Sequence, residues 1–148
     1  MILGASGRLG RALWESRPQT LEMTALTHAE LDVTDIRAVE AVIALARPDV
    51  VINAAAWTDV AGAQTNAAAA RAVNAVAPMG RLFARTGVRI VHFSTDYVFS
   101  GEGSSPWNEA SEAHPRQAGV YGVTKHEGER LLEESGVSGA IVRAGWLH

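Results

Sequence analysis

The chain has 148 residues, 47% of them hydrophobic, and a formal net charge of −3. That length supports one domain with a real core, and the negative balance gives no general attraction to nucleic acid. There is no cysteine, which excludes disulfides, thiolate metal sites and a cysteine nucleophile.

Met1–Leu3 reads as the stub of a strand, followed by a loop at Gly4–Gly10 and a helix at Arg8–Ser16. Met23–Leu26 is a second short strand. Ile36–Ala46 carries apolar residues at helical spacing, and Arg47-Pro48-Asp49 ends that helix because proline cannot continue it. Val50-Val51-Ile52 is β-branched and suits a buried parallel strand. Asn66–Thr86 is alanine-rich and predicted helical, with Pro78 as an internal break and Gly87 as a stop. Val88–Phe93 is the next strand, Gly101–Pro115 a loop, Gly119–Ser135 a helix and Ala140–Arg143 a last strand. Strand–helix alternation of this kind predicts an α/β fold, a doubly wound parallel sheet with helices on both faces. Residues 1–148 are expected to form one dinucleotide-binding domain of Rossmann type. No apolar run reaches membrane-spanning length. The glycine loop starts at the fourth residue and leaves no room for a signal peptide, so a soluble cytoplasmic protein is expected.

Gly4-Ala-Ser-Gly7-Arg-Leu-Gly10 is a G-x-x-G-x-x-G between a strand stub and a helix. Glycines there allow a tight turn and a close approach to a pyrophosphate, whose charge meets the helix N-terminus. An ordinary glycine-rich turn is the plainer alternative. The second strand ends in Leu26-Thr27-His28, without the carboxylate that holds the ribose 2′-hydroxyl of NAD. That leans toward NADPH, with Arg8 or His28 facing its extra phosphate; NADH stays open. Asp35 suits a helix N-cap, whereas Asp32 divides evenly between a cap and an adenine contact. Small residues at Asn53-Ala-Ala-Ala56 would let a cofactor lie against the backbone.

Tyr121-Gly-Val-Thr-Lys125 is a Y-x-x-x-K, which puts both side chains on one helix face. An ammonium beside a phenol lowers its pKa, so the tyrosine can exchange a proton with a carbonyl or alcohol oxygen. His92, His114, His126 and His148 lack metal-ligand spacing and are expected at the surface. Glu127, Glu129, Glu133 and Glu134 are expected on a solvated helix face.

Together with Ser94-Thr-Asp-Tyr-Val-Phe-Ser-Gly101, Pro106-Trp107-x-Glu109 and Arg143-x-x-Trp146, these motifs resemble the extended short-chain dehydrogenase/reductases. Within them they resemble the dTDP-4-dehydrorhamnose reductase family, over nearly the whole chain. The resemblance implies reduction of the 4-keto group of a nucleotide-linked, dTDP-type 6-deoxysugar by NADPH or NADH. Tyr121 would be the general acid and Lys125 its partner, holding the nicotinamide ribose. Thr95 would bond the same substrate oxygen. Asp96 and Trp146 match substrate contacts, although Trp146 alone could be a core aromatic. Gly4, Gly7, Arg8, Leu9, Gly10, Asp32, Val33, Ala56, Trp57, Thr58 and Phe93 match the cofactor site, and no metal is implied.

The chain departs from the family in three places, the first being an abrupt start where the family has a few more residues in its first strand. The family continues past Trp146 with a region that completes the sugar-nucleotide pocket, whereas this sequence ends at His148. After Thr58 the family's Val-Asp-x-Ala-Glu is replaced by Val60-Ala61-Gly62-Ala63-Gln64, without either carboxylate. A reductase with an incomplete pocket and low turnover is therefore expected. A non-catalytic NAD(P)-binding or regulatory homologue, and a sugar-nucleotide epimerase or dehydratase, are the alternatives. Apolar surface left uncovered would favour self-association.

Overall fold

The structure, a computed structural model, describes residues 1–75, 77–102, 105–115 and 119–147; the expectation for His148 lies outside them. Five strands, β1 (Ile2–Leu3), β2 (Ala25–Leu26), β3 (Val50–Asn53), β4 (Arg89–Thr95) and β5 (Gly139–Ala144), form a parallel sheet in the order β2-β1-β3-β4-β5. The chain steps outward from β1 to β2, then returns to lay β3 on the other side of β1. That reversal makes the carboxyl ends of β1 and β3 the switch point where a ligand crevice opens.

Right-handed crossovers fix which face each helix covers. The step from β1 to β2 puts α1 (Arg8–Glu15) on one face. The later steps put α2 (Ile36–Ala46), α5 (Ala77–Thr86) and α6 (Gly119–Glu134) on the other. Leu3, Val51 and Ile90 meet Val39 and Ile43 of α2, Met79, Leu82 and Phe83 of α5 and Leu132 of α6 in one core. The faces are therefore unequal. Val50 and Ile52 of β3 are only half-buried, while Val51 and Asn53 are buried. The buried strand expected at Val50–Ile52 is fully buried at Val51, on the α2/α5/α6 side, and half-buried on its other face.

Asp35 caps α2, accepting hydrogen bonds from the Arg37 and Ala38 amides at 3.0 and 3.1 Å. At the other end Arg47 takes a left-handed conformation with φ 45° before Pro48, and the helix stops as predicted. The alanine-rich segment is broken as expected, but ahead of Pro78 and not at it. It starts earlier and divides into α3 (Val60–Thr65), α4 (Ala67–Asn74) and α5. Asp59 caps α3 through the Gly62 amide at 2.8 Å, a start signal the alanine pattern hides. Pro78 falls in the first turn of α5, where a missing N–H costs no helical hydrogen bond. β4 runs two residues beyond the predicted strand and carries Ser94 and Thr95 to its carboxyl end. A 3-10 turn at Asp96–Val98 follows, with the Thr95 hydroxyl accepting from the Tyr97 amide at 3.2 Å.

Candidate active site

The glycine loop lies at the switch point. Gly4 has φ +80°, and a Cβ on it would stand 2.6 Å from the amide nitrogen of Ala55. A Cβ on Gly10 would stand 2.3 Å from the Gly4 carbonyl oxygen. Both glycines are therefore required by the fold itself. Gly7 is different: it is exposed, its φ of −70° suits any residue, and a Cβ would meet only the Gly4 oxygen at 3.3 Å. Gly7 is the N-cap of α1 and gives the helix no side-chain cap. Uncapped amides at a helix N-terminus beside a bare glycine suit a pyrophosphate, so the loop fits a dinucleotide. Arg8 is exposed and donates to the Leu147 carbonyl, which ties α1 to the segment after β5.

Asp32 accepts from the amide and hydroxyl of Thr34 at 2.9 and 2.8 Å, and these bonds hold its pKa below the ordinary value. Its carboxylate thus shapes the turn before α2. Ala56 and Trp57 line the segment after β3. The Trp57 amide donates to Asn74 Oδ1 at 3.0 Å and its indole to the Asp59 carbonyl at 2.9 Å. Asn74 Nδ2 donates to Thr124 Oγ1 at 3.0 Å. One buried amide therefore joins the segment after β3 to α6, a link with no motif to announce it.

Tyr121, Lys125 and Glu129 recur every four residues along α6 and face β4 and β5. Lys125 is 1% exposed, and its ammonium donates to the Phe93 carbonyl at 2.6 Å. Burial lowers its pKa to about 8, against a smaller opposing pull from Glu129. Burial also raises the Tyr121 phenol, while a hydrogen bond with Thr95 acts the other way and Asp96 adds to the rise. The expected lowering of Tyr121 by Lys125 is therefore not how the chain holds this pair: Lys125 turns to Phe93, and Thr95 is the group that favours the phenolate. Thr95 Oγ1 also lies 3.2 Å from Asp96 Oδ1, and the Tyr97 ring stands edge-on to Tyr121 at 5.7 Å.

Two residues expected at the surface are buried, and two more are half-buried. His92 is fully buried, because it faces inward on β4, paired in register with Asn53. Glu129 is 1% exposed and takes two hydrogen bonds from Arg143, at 3.0 and 2.9 Å. Burial alone would raise its carboxyl, but Arg143 holds it below the ordinary value. Glu127 is half-buried against Arg71, and only Glu133 and Glu134 are solvated as expected. His114 is exposed, whereas His126 is half-buried against Glu129.

Beyond Tyr121 an open groove of about 540 Å³ runs past Gln64, Asp96, Tyr97, Phe99 and Trp107. Phe99 and Trp107 stack at 5.0 Å, and the Arg143 guanidinium lies 5.1 Å from the Phe99 ring. Trp146 is 77% exposed and lies outside the core that these residues form. Thr95, Asp96 and Tyr121 thus meet, with Lys125 one helical turn further along α6 on the Phe93 carbonyl, and the glycine loop and Ala56–Trp57 lie along the same carboxyl edge of the sheet. Among the described residues no cluster of metal-ligating side chains is present, and no helix is long and apolar enough to cross a membrane.

A family model described as the RmlD substrate binding domain matches residues 1–148. The dTDP-4-dehydrorhamnose reductase of Mycobacterium tuberculosis H37Rv is 41% identical over 155 residues, which cover 100% of this chain and 50% of the relative. That of Streptomyces griseus is 42% identical over 152 residues, covering 100% and 49%. The crystal structure of the Bacillus anthracis dTDP-4-dehydrorhamnose reductase in complex with NADP matches with a TM-score of 0.93 at 32% identity, covering 99% of this chain and 53% of that one. The Clostridium acetobutylicum orthologue gives the same TM-score of 0.93 at 35% identity, covering 99% and 53%. The chain spans about half the length of the curated relatives it matches. With a family match along its whole length and the Rossmann-type sheet beneath it, the chain belongs to the dTDP-4-dehydrorhamnose reductase family of extended short-chain dehydrogenase/reductases.

Proposed function

We propose that this chain carries the cofactor site and proton donor of an NADPH-dependent reductase acting on a dTDP-linked 4-keto-6-deoxysugar. The observation that supports it best is the meeting of Tyr121, Thr95 and Lys125 at the carboxyl end of β4, beside an open groove. NADPH, when bound, supplies the hydride. The chain's residues would hold the pyrophosphate at Gly7, Arg8 and Leu9 on the α1 N-terminus. Ala56, Trp57, Thr58, Val33 and Asp32 would flank the adenosine side, and Phe93 and Lys125 the nicotinamide side.

Tyr121 delivers the proton. Its raised pKa keeps the phenol protonated at neutral pH, the state a general acid needs before reaction. Thr95 bonds the tyrosine oxygen and orients it toward the groove. The keto oxygen sits where both hydroxyls converge, and Asp96 and Trp146 contact the sugar nucleotide. Burial strengthens these polar contacts, because solvent screening is lost.

The exposed Trp146 and the open groove leave the sugar-nucleotide side thinly walled within these residues. Turnover by this chain alone is accordingly expected to be slow. The test is NADPH oxidation with dTDP-4-dehydrorhamnose at high protein concentration, comparing the chain with Tyr121→Phe. A slow rate lost in Tyr121→Phe supports the reading. An equal rate in both, or NADPH binding with no oxidation at all, contradicts it; the second result would favour a binding protein without chemistry.

A further inference from the structure

Behind Lys125 lies a buried file of polar groups that the proton-donor reading does not use. Asn53 Oδ1 accepts from the Ala55 amide at 3.2 Å, and Asn53 Nδ2 lies 3.1 Å from His92 Nδ1. His92 Nε2 lies 3.3 Å from Lys125 Nζ. Asn53 and His92 are both fully buried, so water does not rescue a mismatched contact.

The Ala55 amide can only donate, which fixes the Asn53 carbonyl toward it and the Asn53 NH2 toward His92. His92 Nδ1 must then accept. A neutral imidazole carries its proton on the other nitrogen, so Nε2–H points at Lys125. Turning the asparagine over would set its NH2 against the Ala55 N–H and is not an escape. Every bond in the file runs in one direction and ends on the lysine nitrogen as acceptor. A neutral amine satisfies that geometry. An ammonium has no lone pair and meets an N–H head-on.

We propose that Asn53, acting through His92, is a positioning residue that opposes protonation of Lys125 and so sets the pH at which this lysine loses its charge. The depressed Lys125 and His92 pKa values, about 8 and about 3, agree in direction and have burial as their first cause. The other groups facing the lysine are Tyr121 and Glu129 on its own helix. Arg143 of β5 neutralises Glu129, Asp96 acts on Tyr121, and Arg71 of α4 is engaged by Glu127. Given the proposed function, deprotonation of Lys125 would leave the nicotinamide side of the cofactor site without its positive charge. Only this consequence rests on that reading.

Lys125 is the single lysine of the chain, so lysine carrying 13C at Cε gives one side-chain signal to titrate. The tautomer of His92 is read from long-range 1H–15N spectra of the imidazole at neutral pH, with His92→Gln assigning the signal. The expected result is the Nε2–H form. In His92→Gln a side-chain carbonyl can rotate toward the lysine, and the Lys125 midpoint is expected to rise by about one unit. An Nδ1–H tautomer in the unmodified chain, or an unmoved midpoint in a folded His92→Gln, overturns the proposal. If that variant does not fold, the His92 signal is assigned by replacing the other four histidines in turn, and an Nδ1–H form there still overturns the proposal. Neither readout needs cofactor or substrate, so a failed reductase assay leaves both standing.

Discussion

Gly128 of α6 packs so closely on α4 that a Cβ there would lie 2.3 Å from the Asn74 carbonyl oxygen. The close approach is what lets the Asn74 side chain reach Thr124 on α6 and the Trp57 amide together. Gly128→Ala must push the helices apart and is expected to cost about 1–3 kcal/mol. Asn74→Ala keeps the spacing but strands buried polar partners, at a similar cost of about 1–3 kcal/mol. Urea midpoints would show both losses. Unchanged midpoints would mean that α4 does not brace α6.

The three loop glycines should separate by role. Gly10→Ala drives a methyl into the backbone of Gly4 and is expected to destabilise the fold by about 1–3 kcal/mol. Gly7→Ala requires only a small adjustment and should leave the thermal midpoint nearly unchanged. Its methyl would occupy the space of a pyrophosphate, so NADPH affinity should fall by about tenfold or more. Equal NADPH affinity in Gly7→Ala would remove the glycine loop from the binding site.

Arg143→Ala leaves the Glu129 carboxylate buried without its bidentate partner, and a loss of about 3 kcal/mol at neutral pH is expected. The folded carboxyl sits below the ordinary value of 4.5. Its contribution is therefore complete above that value and disappears as pH falls through the depressed folded value. The stability gap between wild type and Arg143→Ala should therefore narrow on acidification. A gap independent of pH would assign the loss to packing on Phe99 instead of charge.

The alternating strands and helices, the Gly4–Gly10 loop and the Tyr121–Lys125 spacing were all legible from residue order, because each depends on local geometry. His92 and Glu129 were misplaced because a polar residue gives no sign of burial until its partner is known. Those partners, Asn53 and Arg143, lie 39 and 14 positions away. The early start of the helical stretch and the exact place of its break were hidden for a related reason. Alanine favours helix everywhere, so the boundaries depend on the Asp59 cap and on where Asn74 meets α6. The direction of the Tyr121 shift was also out of reach. Spacing brings Lys125 near, but the Phe93 carbonyl decides where its nitrogen points.

A working dinucleotide site in these residues requires that bound NADPH stabilise the fold. Thermal melting of the folded chain with and without saturating NADPH tests it most directly. A higher midpoint with NADPH, diminished in Gly7→Ala, is the predicted result. No shift with either NADPH or NADH would contradict it.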